Sequence, residues 1–67
     1  MRDPWDIVKG WLMGSDSRSV EFTHGGDGGK WYCLLRDEDD DTYDGAGHDH
    51  TEALIEAWGA MMESRAL

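Results

Sequence analysis

The residues best equipped for chemistry are crowded into one stretch of the chain. Between Asp37 and Glu56 stand nine carboxylates: Asp37, Glu38, Asp39, Asp40, Asp41, Asp44, Asp49, Glu52 and Glu56. No Lys or Arg interrupts them. His48 and His50 lie inside the same stretch, and His24 and the single cysteine, Cys33, precede it. Such a set opens four kinds of chemistry: a hard cation held by carboxylates, a zinc ion held by His and Cys, attack by a Cys–His pair, and docking on a basic surface with no bond made or broken.

Spacing weakens the first three. Asp40-x-Thr42-x-Asp44-Gly45 matches the first half of a calcium loop, with glycine at the sixth position. The twelfth position, where a bidentate Glu is needed, is Thr51, and Glu52 comes one residue late. His48-x-His50 with Asp44, Asp49, His24 or Cys33 offers zinc-type ligands at a spacing that no standard site uses. Cys33 sits among Trp31, Tyr32, Leu34 and Leu35, so it reads as a buried, inert strand residue. Gly25-Gly26-Asp27-Gly28-Gly29 is followed by no Lys-Ser/Thr pair and reads as a hairpin tip, not a phosphate cradle. The expectation is therefore no catalytic residue, no metal ligand, no cofactor and no enzyme activity.

Docking fits the charge better. The chain of 67 residues carries 15 acidic and 6 basic side chains, a net charge of −9. Outside Asp37 to Glu56 there are six acidic and six basic residues, so the whole net charge belongs to that one segment. Crowded carboxylates repel one another and destabilise a compact state, so concentrating them calls for a reason. Duplex DNA presents a negative charge every ~1.7 Å along its axis, and rows of carboxylates on a small rigid protein imitate that pattern. The candidate partner-binding residues are Asp37, Glu38, Asp39, Asp40, Asp41, Asp44, Glu52 and Glu56. The partner expected is a basic protein surface. Nucleic acid and anionic lipid are disfavoured as direct partners because both repel an acidic surface.

The elements that must position these residues follow from periodicity. Asp3-Pro4 opens a helix, with Asp as cap and Pro at the first helical position. Trp5, Val8, Trp11 and Leu12 form its apolar stripe, and Gly14 ends it. Val20 and Phe22 alternate with Ser19, Glu21 and Thr23, as in a half-buried strand. Lys30 to Arg36 forms a second strand, apolar on both faces and so expected to be central, with helices or another strand's side chains covering it. Thr42-Tyr43 suits a short third strand and Gly45-Ala46-Gly47 a loop. Asp49 caps a last helix, with Glu52 in a capping-box position. On it Leu54, Ile55, Trp58, Met61 and Met62 share a sector of about 120°, while Asp49, Glu52, Glu56 and Glu63 share about 60° on the opposite side.

The predicted fold is α+β, one small domain over residues 1–67, in the order α-β-β-(β)-α. An antiparallel hairpin packs against the N- and C-terminal helices. A domain this size buries only about 60% of its unfolded surface, and four Trp, one Phe and two Tyr each bring a large area to bury. One Cys excludes an internal disulfide and suits a reducing cytoplasm, and the N-terminus shows no signal-peptide pattern. No run approaches the ~18 apolar residues of a membrane span. A monomer or weak dimer is expected.

Two resemblances follow from these residues. Trp31-Tyr32-Cys33-Leu34-Leu35, then Tyr43-Asp44-Gly45-Ala46-Gly47, then Thr51-Glu52-Ala53-Leu54-Ile55-Glu56-Ala57, resembles the hairpin-then-helix pattern of small HicB-like antitoxin domains. It implies a regulatory module that neutralises a basic protein. By size, charge segregation and layout, the whole chain also resembles the phage-encoded anti-CRISPR proteins that act as DNA mimics. That likeness implies an inhibitor in the host bacterial cytoplasm, bound to a basic, DNA-binding surface of a CRISPR-Cas effector, type I in the first instance, where it keeps target DNA out.

Overall fold

The computed structural model describes residues 3–26 and 28–65. Its elements run α1 (Pro4–Leu12), β1 (Ser19–His24), β2 (Trp31–Arg36), β3 (Thr42–Gly47) and α2 (His50–Arg65). The chain is thus an α+β domain with two helices and a three-stranded antiparallel sheet in the order β1-β2-β3.

Local chemistry sets the helix starts. Asp3 caps α1, its Oδ1 accepting from the Trp5 amide at 2.9 Å, and Asp6 adds charge to the first turn. Asp49 does the same for α2, its Oδ1 accepting from the Glu52 amide at 2.8 Å. At the far end of α1 the Gly14 amide donates to the Trp11 carbonyl at 3.1 Å, and Arg18 joins it: its Nη1 donates to the same carbonyl at 2.7 Å, and its guanidinium lies 5.2 Å from the Trp11 ring centre.

β2 is central, as its composition requires. Its register pairs Phe22 with Cys33 and Val20 with Leu35 on one side, and Cys33 with Gly45 and Leu35 with Tyr43 on the other. These residues face both helices. Val8 and Trp11 from α1, Cys33 and Leu35 from β2, and Ala53, Leu54, Ala57 and Met61 from α2 form the core. Among the described residues no element covers the opposite sheet face, contrary to the expectation from β2. There Glu21, Leu34 and Asp44 form one cross-strand row and Thr23, Tyr32 and Ala46 the next. Leu34 is half-buried and Tyr32 exposed.

β3 is longer than its sequence suggests, because Gly45-Ala46-Gly47 is strand and not loop. Its two glycines serve the helix above. A Cβ on Gly45 would lie 2.7 Å from the Ala53 carbonyl oxygen, and one on Gly47 would lie 2.7 Å from the Ala53 nitrogen. The α2 backbone therefore rests directly on β3, and the residues at the seam must be small. That turns α2 about its axis relative to the expected orientation. Ala53, Leu54, Ala57 and Met61 are buried, while Ile55 (48% exposed) and Met62 (39%) lie outside. The carboxylates Asp49, Glu52, Glu56 and Glu63 are all exposed.

Candidate functional site

The β2–β3 turn is built by one of its own acids. Asp37 is 3% exposed. Its Oδ1 accepts from the amides of Asp39 and Asp41, both at 3.0 Å, and the Tyr43 hydroxyl donates to Oδ2 at 3.5 Å. Arg65, the last residue of α2, approaches Oδ2 to 3.7 Å. The backbone closes the turn with Asp37 N–H donating to Asp41 O at 3.0 Å and Asp40 N–H to Asp37 O at 3.1 Å. Asp40 takes a left-handed conformation, φ 66°, which Asp tolerates better than most residues.

This geometry divides the predicted partner-binding set. Asp37 is a buried scaffold and cannot present its carboxylate to a partner. Glu38 is paired: Arg18 Nε donates to Oε2 at 2.7 Å and Nη2 to Oε1 at 3.3 Å. The Arg18 hydrogen bonds hold the Glu38 carboxyl down to about 2. Asp44 lies on the uncovered sheet face, opposite the side where α2 packs. Asp39, Asp40 and Asp41 remain together and exposed at the tip of the turn. Glu52 and Glu56 are exposed on α2, and Glu63 continues their line toward the turn. The Arg65–Asp37 contact places the C-terminal end of α2 beside that turn. The result is a track: Glu52, Glu56 and Glu63, spread over roughly 16 Å of helix axis, leading to Asp39–Asp41.

The alternative chemistries find less support in the geometry. Thr42 and Asp44 belong to an extended strand, so the calcium-loop spacing is not folded around a centre. Among the described residues the one cluster with metal-like spacing is Asp37, Asp39 and Asp41, whose carboxylate oxygens lie within 4.8 Å of one another. It contains no His or Cys. Burial pushes the Cys33 thiol up to about 11, which suppresses the thiolate a nucleophile or zinc ligand would need. His24 and His50 instead join an aromatic strip. The His50 ring lies 3.9 Å from the Trp31 ring centre and 5.0 Å from that of Phe22, while His24 lies 4.7 Å from Trp31. Trp5 extends the strip through Phe22 and ties α1 to α2 by donating Nε1–H to Thr51 Oγ1 at 2.9 Å.

A further feature lies between the helices. Pro4 and Ile7 of α1 and Ile55, Trp58 and Gly59 of α2 line an open apolar groove of about 330 Å³ between the helices. Its signal was present as Ile55, which the apolar sector of α2 assigns to the core, and as Ile7, which the apolar stripe of α1 leaves out.

Fold and site together define a small α+β domain with a charged track on its helical side. Comparison with protein-family models, with curated proteins and with solved structures finds no match. Among the described residues no helix is long and apolar enough to cross a membrane.

Proposed function

We propose that the protein is a non-enzymatic inhibitor that lays an acidic track on a basic, DNA-binding surface of another protein and so keeps DNA from it. The observation behind this reading is the track itself. Asp39, Asp40, Asp41, Glu52, Glu56 and Glu63 are exposed, and none of them makes a salt bridge among the described residues. Two arginines are already committed at its end, Arg18 to Glu38 and Arg65 to Asp37, which holds the turn in shape while the tip keeps its charge. The target that the whole-chain resemblance implies is a CRISPR-Cas effector, where the track takes the place of target DNA.

The test is a charge variant that respects the turn. Asp39→Lys with Asp41→Lys reverses two charges, and Asp40→Asn removes a third while suiting the left-handed backbone. Inhibition of interference by a type I effector is expected to vanish, with the circular dichroism spectrum unchanged. Full inhibition by the triple variant overturns the reading. Capture of partners from bacterial lysate at low and high salt identifies the target: a basic Cas subunit supports the inhibitor, whereas a basic toxin moves the protein to the antitoxin-like class.

A further inference from the structure

The groove between α1 and α2 is apolar along its floor and acidic along both rims. Ile55, Trp58, Gly59 and Met62 follow one another at i, i+3, i+4 and i+7, a strip about 10 Å long on the outer side of α2. Ile55 and Met62 are exposed, and across the groove so is Ile7, at 37%. Around α2 the strip is bordered by carboxylates: Glu56 and Glu63 stand three residues before and four after Gly59, and Glu52 seven before. Around α1 the border is Asp3, four residues before Ile7, and Asp6. The described cations of the two helices lie elsewhere. Lys9 follows Ile7 by two residues and so points away from the floor, on the flank of Asp6 three residues before it, and Arg65 is engaged with Asp37.

Two glycines give a second, independent pointer to an occupant. Gly10 and Gly59 occupy helix interiors, where glycine is destabilising, and a Cβ on either would meet nothing within 4 Å. Among the described residues neither has a steric reason, in contrast to Gly45 and Gly47. Gly59 lies on the groove floor, and Gly10 stands one turn past Ile7, outside the lining. A helix laid there comes close to the Gly59 backbone.

We propose that this groove docks a cationic amphipathic helix of a partner protein, apolar residues on the floor and Lys or Arg against Asp3, Asp6, Glu52, Glu56 and Glu63. Charge selects this occupant over two others. A second copy of the chain brings the same acidic rims face to face, and an anionic membrane repels them. The site is separate from the acidic turn and shares with the track only its α2 carboxylates.

The probe is a fluorescently labelled helix of about 18 residues built from Leu and Lys in an amphipathic pattern, with its Leu/Glu counterpart as control. Anisotropy is expected to show binding of the Leu/Lys helix alone, with amide chemical-shift changes confined to α1 and α2. Gly59→Lys, which puts bulk and positive charge on the floor, and Ile55→Ser, which removes apolar surface, should each weaken binding about tenfold or more. Their helix content should stay unchanged. The Asp39→Lys/Asp40→Asn/Asp41→Lys variant should keep at least the shift pattern in the helices, which separates this site from the acidic turn. The proposal is overturned by shift changes centred on residues 37–41, by equal binding of both helices, by unaltered affinity in both groove variants, or by self-association that Gly59→Lys abolishes.

Discussion

Asp37 shows how one carboxylate is worth different things in different places. Buried and accepting two backbone amides, it organises the turn that displays Asp39, Asp40 and Asp41. Asp37→Ala leaves both amides without their partner and should cost about 2 kcal/mol, read by urea denaturation. Glu38, one residue on, is a surface ion pair, where solvent and salt screening keep the energy small. Its effect is visible in pH. The folded carboxyl is held to about 2, well below its ordinary value of 4.5, so the stabilisation is complete above pH 4.5 and fades as pH falls through about 2. The stability gap between wild type and Glu38→Gln should therefore be constant near neutrality and close over that acid window. A gap that persists at the acid end, or one that opens as pH falls, contradicts the pairing with Arg18.

At the scale of elements the decisive contact is α2 on β3, and glycine has opposite meanings at its two sides. Gly45 is a contact residue: a methyl there runs into the backbone of Ala57 and Ala53. Gly45→Ala should destabilise by about 2–3 kcal/mol, the upper part of the roughly 1–3 kcal/mol typical of overpacking, because the atoms it meets are backbone. Gly59 faces open space, so Gly59→Ala should stabilise α2 by about 1 kcal/mol. Thermal unfolding of the two variants, shifted in opposite directions, checks both. The same contact explains what the sequence could and could not reveal. The start of α1 at Asp3-Pro4, the start of α2 at Asp49 and the central place of β2 were legible, because caps and apolar density are local signals. The end of β3 and the orientation of α2 were not. Gly45-Ala46-Gly47 has the composition of a loop, and only the helix that lands on it makes it a strand. Likewise Ala53 and Ala57 carry little hydropathic weight beside Ile55 and Met62, yet close approach requires small residues at the seam. The acid cluster was visible as a segment, but its division was not: nothing local distinguishes Asp37, which is buried, from Asp39, which is exposed, until Arg65 and Tyr43 are brought beside it.

For the whole molecule, the net charge of −9 becomes an anisotropic field. Of the nine carboxylates between Asp37 and Glu56, Asp37 and Glu38 have arginine partners, and Asp44 sits on the far side of the sheet. The rest lie along α2 and at the turn beside its end, on a domain only 33 × 29 × 25 Å across. Such a field acts mainly on encounter. At about 0.1 M salt the screening length is roughly 10 Å, shorter than the track, so charges along it act on a partner one neighbourhood at a time. Mutations of exposed charges should then change the association rate and its salt dependence, with smaller effects on dissociation. Against a basic partner in a stopped-flow experiment, Asp39→Lys/Asp40→Asn/Asp41→Lys should slow association about tenfold or more at low salt and flatten its salt dependence. Gly59→Lys alters a single position on the groove floor and should act through dissociation if the partner uses the groove. An unchanged association rate in the turn variant means that the track does not steer the encounter and that the shape of the turn serves the fold alone, whereas a rate that falls shows the turn acting on the partner.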